Sequence, residues 1–248
     1  MRRRQLIEVT IDSLAEVGFT GTTLAQIAAR ADVSPGLVAH YFGDKDGLLV
    51  AAFRSLARRV GDHVRARLRR AHTPRGRIQA VIDANLAPEE FERRSGTAWL
   101  QFWGQALQVD GLRRVQSVYQ RRTLSTLKAS LAKLVPPEQA GRIAAMIAAM
   151  IDGVYLRAAL SEWREADSEA ARALVTAFVD GRLREIASLA AVDARSRRVA
   201  DGAAPGVPRA GERFATINPA TGAVLAHFTV AGASEVDAAV ERARQAQA

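Results

Sequence analysis

Cysteine is absent from the 248-residue chain, which excludes disulfides, thiolate metal sites and thiol nucleophiles and suits a reducing cytoplasm. The four histidines, at 40, 63, 72 and 227, are scattered and show neither metal-ligand nor triad spacing. No catalytic residue, cofactor or metal is expected, and the chain is not read as an enzyme. Runs of about 18 uninterrupted apolar residues are also missing, so no membrane span is expected. The start, MRRRQLIEVTIDSL, is basic and then apolar, but Glu8 and Asp12 interrupt the apolar part, so it is not read as an export signal. Aromatics make up only 6%; with alanine abundant, the balance favours helix over sheet. Acidic residues are outnumbered. The 35 Lys+Arg against 26 Asp+Glu leave a formal +9, which hints at nucleic acid or an anionic surface without choosing between them.

What the chain does have is helical periodicity. Ile7, Ile11, Leu14 and Val17 recur at helical spacing, and Gly18 with Gly21 closes the segment. Thr22 or Thr23 can cap a second short helix with Leu24, Ile27, Ala28 and Ala31 on one face. After a turn at Asp32-Val33, Ser34 is a good N-cap and Pro35 takes the first helical position, where its missing N–H costs nothing. A third helix is therefore predicted from Pro35 to about Phe42. Gly43 and Asp44 end it and cap a fourth, over about 45–70. Roughly five more helices follow, ending near Leu189, punctuated by LAPEE at 86–90, by Asp110-Gly111 and by Pro136-Pro137. Residues 191–211, rich in Gly, Pro, Ala and Arg without apolar period, read as a linker. Residues 212–248 read as strand, Asn-Pro-Ala-Thr-Gly turn, strand and a Ser234-capped helix. The expected architecture is all-α: a helix-turn-helix head at 1–50, a helical domain at 51–190, the linker, and a short α/β-like tail.

Two short helices joined by a turn behind a stabilising first helix form a helix-turn-helix, whose second short helix enters the major groove of double-stranded DNA. On the Pro35–Phe42 helix, Val38 and Phe42 point one way, with Leu24, Ile27 and Val33 available to meet them. Gly36, Leu37, Ala39, His40 and Tyr41 fall on the other face. His40 can donate to a phosphate or a base edge, Tyr41 can offer its hydroxyl to a phosphate, and Leu37 or Ala39 can touch a thymine methyl. Lys45, at the next helix start, can neutralise a phosphate. The plainer reading has Tyr41 packing on the following helix and His40 merely solvated. Residues 1–70 hold twelve Lys/Arg against seven Asp/Glu, a net +5. Arg2, Arg3 and Arg4 read as a flexible basic arm ahead of the first helix, or as a charge run that touches nothing.

The segment GFTGTTLAQIAARADVSPGLVAHYFGDKDGLL resembles the amino-terminal domain of TetR-type repressors. It carries the Gly-Phe after helix one, the Thr-Thr-Leu start of helix two and the His-Tyr-Phe-x-x-Lys-x-x-Leu run into helix four. The likeness covers roughly residues 4–190. It implies an all-helical homodimer, two heads spaced for successive major grooves, and a carboxy-terminal domain that binds a small effector. The DNA-facing set is then Thr22, Thr23, Ser34, Pro35, Gly36, Leu37, Ala39, His40, Tyr41 and Lys45. One departure is Ala39, where many members carry a tyrosine.

For the effector, TAWLQFWGQAL puts Trp99 and Trp103 four apart on one face with Phe102 beside them. AAMIAAMIDGVYLRAALSEW places Asp152 in an otherwise apolar helix, with Tyr155 a turn on and Trp163 near its end. A buried carboxylate without a partner is expensive. Aromatic faces plus a carboxylate suit a quaternary ammonium, which has no N–H to donate. On the residues alone the alternative stands: core tryptophans and an Asp152 paired with an arginine such as Arg157. RRRQLIEVTIDSLAEVG, SPGLVAHYFGDKDGLL, TAWLQFWGQAL and MIDGVYLRAAL together resemble the choline-responsive members of the family, repressors of glycine betaine synthesis. That likeness implies a choline pocket of Trp99, Trp103, Tyr119, Asp152 and Tyr155.

The last two helices of this domain, about 137–163 and 168–189, carry Ala144, Ala145, Ala148 and Ala149 and the stripe Leu174, Phe178, Leu183 and Ile186. They suit a four-helix dimer interface, or burial within one monomer. The tail FATINPATGAVLAHFTVAGASEVDAAVERARQAQA resembles the opening of aldehyde dehydrogenases, the betaine aldehyde enzyme included, without nicotinamide-binding sheet or nucleophilic cysteine. It reads as a repressor frame that runs into a neighbouring dehydrogenase frame. Two alternatives remain at this point: a regulator of the same type with another hydrophobic or cationic effector, or a small-molecule binder joined to an inactive enzyme remnant.

Overall fold

Three helices of the head begin where a side chain satisfies a backbone N–H that the helix itself leaves free. In this computed structural model, which describes residues 2–161, 168–200, 210–218 and 223–246, Thr23 caps α2 (Leu24–Arg30) by accepting from the Gln26 N–H. Ser34 caps α3 (Pro35–Phe42) by accepting from Leu37 N–H, and Asp44 caps α4 (Lys45–Leu68) by accepting from Gly47 N–H. The head is completed by α1 (Arg2–Gly21), in which Gly18 breaks the helical dihedrals at φ 69°. The expectation of a flexible arm is corrected here. Arg2, Arg3 and Arg4 form the first turn of α1, with Arg2 bonded to Gln5 and the Arg3 guanidinium 5.2 Å from the Phe42 ring centre. Val17, expected on the buried face, is 46% exposed.

Further helices follow as α5 (Pro74–Asn85), α6 (Pro88–Phe91), α7 (Arg93–Ala106), α8 (Asp110–Leu131), α9 (Pro137–Leu160) and α10 (Ser168–Ala200). The chain divides into two compact units, Met1–Ala187 and Ser188–Ala248. In the first, Leu6, Ile27, Ala28, Val38 and Leu48 form the core of the head. Ile11, Leu14, Phe53, Leu56, Trp99 and Phe102 join α1, α4 and α7. A third cluster, with Ile78, Ile82, Leu127, Ile147 and Val175, joins α5, α8, α9 and α10.

In the second unit, β1 (Arg213–Ile217) pairs antiparallel with β2 (Val224–Thr229), setting Phe214 opposite Phe228 with rings 5.8 Å apart. Then comes α11 (Ala233–Ala246). Two expectations change. Residues 191–200, expected as linker, continue α10; AVDARSRRVA holds no Gly or Pro, which begin only at Gly202 and Pro205 in the part outside the described residues. The α11 helix is not capped by Ser234. It starts one residue earlier, and the Glu235 carboxylate accepts the Gly232 N–H at 2.7 Å, the reach-back half of a capping box. Of the expected Asn-Pro-Ala-Thr-Gly turn, residues 219–222 lie outside the described residues. No helix among the described residues is long and apolar enough to cross a membrane.

The joint between α3 and α4 has no room for a side chain at Gly47, where a Cβ would collide with the Phe42 carbonyl oxygen. Gly47→Ala is expected to cost about 1–3 kcal/mol and lower the melting temperature. Gly104→Ala, which meets open space on α7, is expected to raise it by the equivalent of about 0.5–1 kcal/mol. Thermal unfolding of both variants checks the contrast.

Candidate functional site

The eight residues of α3 are sorted by packing. Val38 is fully buried and Phe42 half-buried against the head's core, so both anchor inward as expected. His40 and Tyr41 lie on the exposed side, Tyr41 at 40%, with their rings edge-on at 5.7 Å. Pro35 and Gly36 are exposed, while Leu37 and Ala39 are half-buried. The face expected to read bases is open to a partner.

The outer members of that set fare differently. Thr22 is only 1% exposed; its hydroxyl donates to the Gly18 carbonyl at 2.8 Å and lies 3.0 Å from Ser13 Oγ. Its expected DNA contact is therefore corrected: the side chain is spent on joining α1 to α2. Thr23 and Ser34 are exposed but use their hydroxyls as helix caps. Lys45 Nζ donates to the Phe19 carbonyl at 2.7 Å and sits 3.9 Å from that ring's centre. Burial lowers its pKa. One of its three N–H groups fastens α4 to the end of α1, and two remain.

The expected effector residues converge. Ring centres run from Tyr119 to Trp99 at 5.1 Å, on to Trp103 at 6.2 Å, and from Trp103 to Tyr155 at 6.2 Å with the last pair edge-on. Trp99 is 2% exposed and packs on Phe53, as an ordinary core tryptophan would. Trp103 and Tyr119 are half-buried. The indole N–H groups of Trp99 and Trp103 are buried without a hydrogen-bond partner among the described residues. A cavity of about 250 Å³ between α5, α8 and α9 is lined by Tyr119, Asp152, Asn85 and Thr123. It does not take in Trp99, Trp103 or Tyr155, which stand behind Tyr119. Trp163 lies outside the described residues.

Asp152 has no ion pair or hydrogen bond among the described residues, and Arg157 is exposed and does not reach it. The arginine-paired alternative is thereby overturned. Burial alone pushes the Asp152 carboxyl up to about 6. Its charge is felt by its neighbours. The Tyr119 and Tyr155 hydroxyls are held well above the usual tyrosine range, by burial first and then by negative charges that include Asp152 and Glu90.

Sequence reasoning missed three residues here. Glu90, fully buried, takes both oxygens to Arg59, at 2.6 and 3.0 Å, and the same guanidinium reaches Ser95 at 3.0 Å. Asn85, 2% exposed, accepts the Tyr119 hydroxyl on its side chain and the Tyr155 hydroxyl on its backbone. The signals lay in LAPEE and the preceding AN, which had been read as punctuation. The expected dimer face is also re-sorted. Ala144 and Ile186 are core, and Phe178 and Leu183 pack on it, as the within-monomer reading had it. Exposed on α9 and α10 are Ala145, Met146, Ala149, Leu156, Leu160 and Leu174.

Comparison with known proteins bears on both faces. A family profile described as "BetI-type transcriptional repressor, C-terminal" matches residues 74–184, and one described as "Bacterial regulatory proteins, tetR family" matches residues 6–52. The HTH-type transcriptional regulator BetI of Burkholderia thailandensis is 42% identical over 181 residues, covering 73% of this chain and 92% of that protein. Its namesake from Cronobacter sakazakii is 41% identical over 186 residues, covering 74% and 91%. Among solved structures, a transcriptional regulator from Rhodococcus superposes with TM-score 0.65 at 24% identity, over 74% of this chain and 95% of that one. A Saccharomonospora viridis protein solved in complex with choline superposes with TM-score 0.61 at 20% identity, over 72% and 95%. At these identities the structural likeness shows the fold.

Asp152 also shapes stability against pH. Its folded pKa, about 6, lies above its ordinary 3.8, so between the two the folded state holds the extra proton. That contribution is fully present below about 3.8 and is lost as pH rises through 6. Asp152→Asn removes the cost of the buried charge, so its melting temperature is expected to exceed the parent's at pH 7.5 and to approach it at pH 4.5. Equal shifts at both pH values in thermal unfolding would contradict a charge effect.

Proposed function

The chain belongs to the TetR family of bacterial regulators, in its BetI type, and from that premise we propose a cytoplasmic homodimer that holds operator DNA and is released by choline. As a TetR-type transcriptional repressor it is not an enzyme. The observation that carries the choline reading is Asp152: an unpaired carboxylate on the wall of a small cavity that Tyr119, the first of four linked aromatic rings, also lines. A trimethylammonium group offers charge to that carboxylate and its polarised methyls to the rings. Glu90 does not compete, because Arg59 neutralises it.

The exposed apolar residues of α9 and α10 support a face-to-face pair of subunits, which would space two α3 helices for successive major grooves. Choline would favour the dimer state that no longer fits the operator, and only different affinities for the two states can do this. Residues 212–248, beyond both profile matches, are taken as a fragment resembling the start of betaine aldehyde dehydrogenase.

Gel retardation with DNA from upstream of the coding region tests the operator half. His40→Ala is expected to weaken retardation by about tenfold, the scale of one base contact at 1–3 kcal/mol, with the melting temperature unchanged. Failure of the parent protein to retard any upstream fragment at low salt would remove the repressor reading.

Calorimetry tests the effector half. Choline is expected to bind the parent at pH 7.5, about two- to thirtyfold more weakly in Trp103→Ala, from about 0.5–2 kcal/mol per cation–π contact, and more weakly still in Asp152→Asn. Because Asp152 takes up its proton near pH 6, affinity is expected to drop by about tenfold from pH 7.5 to pH 5. Absence of heat with the parent, or unchanged affinity in both variants, would leave a regulator with another effector.

A further inference from the structure

A larger cavity of about 510 Å³ lies between α4, α5 and α8, with the opposite electrical character. Arg54, Arg58 and Arg65 line it from α4, and Arg114 and Arg122 from α8. Among the described residues no carboxylate lines it. Arg65 is paired with Asp62, whereas the other four have no carboxylate partner among the described residues. Beneath the guanidiniums the lining is apolar, with Val60, Val64, Val81 and Val115 contributing. Arg54 and Arg58 stand one helical turn apart, and Arg114 and Arg122 about two turns apart on the facing helix.

We propose that this cavity is a second small-molecule site, for an amphipathic anion that sets a carboxylate or phosphate among the arginines and an apolar stem on the valine floor. Guanidinium forks match both anionic groups bidentately, which a lone ammonium would not. Like charges gathered on a concave, partly apolar wall raise the local potential, and an anion relieves it. The volume falls within the range of about 300–1,000 Å³ usual for small-molecule sites. The same charge excludes a quaternary ammonium. Tyr119 and Thr123 line this cavity and the Asp152 cavity alike, so one wall separates a cation site from an anion site. An anion here ties α4, which begins in the head, to α8. The inference does not rest on choline being the effector.

Calorimetry and thermal shift on the full chain test it, with every amphiphile below its micelle concentration. Octanoate and octyl phosphate are expected to bind and raise the melting temperature. Octanol and octyltrimethylammonium are expected to bind at least tenfold more weakly, and inorganic phosphate likewise. Arg58→Gln/Arg122→Gln is expected to weaken octanoate at least tenfold while choline affinity and the circular dichroism spectrum stay as in the parent. Octanol as tight as octanoate would mean an apolar hole only; inorganic phosphate as tight as octyl phosphate would mean an adventitious ion only. Either result, or an unchanged affinity in the double variant, overturns the site. Because the ligand comparison is made on the parent chain, it decides even where the double variant does not fold. Loss of choline binding by the parent alone would count against the effector reading and leave this one standing.

Discussion

Ionising Asp152 between α8 and α9 costs free energy that nothing in the described part of the subunit returns. Burial raises its pKa to about 6 without help from any neighbour, so near neutral pH the folded chain carries an uncompensated negative charge at a half-buried position on a cavity wall. Stability alone does not account for such a group, because an asparagine or leucine there would avoid the penalty. That cost is what the proposed cationic effector would offset. Beside Asp152, Tyr119 lines the same cavity, and Asn85 fixes the hydroxyls of Tyr119 and Tyr155.

The contrast with Glu90 sharpens this. Glu90 is more deeply buried than Asp152, yet it is matched by a two-pronged arginine and a serine hydroxyl on that guanidinium. Removing one partner of such a pair costs about 3–5 kcal/mol, so Glu90 and Arg59 belong to the architecture that ties α4 to α6. Of two interior carboxylates near the same tyrosines, one is satisfied and one is not. The unsatisfied one lines a cavity, and the satisfied one is fully buried. That asymmetry is what distinguishes the two carboxylates within the subunit.

The head was legible in the sequence because its signals are local. Ser34-Pro35, Gly43-Asp44 and the Val38–Phe42 spacing each act within one or two turns, and the structure keeps all three. What was not legible depends on distant residues. Arg59 meets Glu90 across 31 positions and Tyr155 meets Asn85 across 70, and no periodicity announces such pairs. Thr22 was misplaced for a related reason. Thr22 and Thr23 both looked fit to cap, and only the packing of α1 against α2 decides which hydroxyl turns inward. The extended α10 shows the opposite error: its Arg-rich, stripe-free sequence was read as linker although it contains no residue that stops a helix.

Geometry also bears on how an effector pocket and a DNA-facing helix could be linked within one subunit. Trp99 and Trp103 sit on α7, and so does Arg94, which holds Glu8 of α1 at 2.9 Å and also grips Asp12. The two tryptophans and the clamp on the head are thus parts of one helix, some two turns apart. A rotation of α7 would move Trp103 against Tyr155 and would carry with it the Arg94 ion pairs to α1. Because α1 buries Leu6 in the cluster that holds Val38, the seat of α3 is linked to α7 as well. Coupling of this form needs no chain of small displacements. It needs only that the proposed dimer have two arrangements in which Asp152 differs in its access to a cation, and the size of that difference bounds how far the ligand can shift the balance.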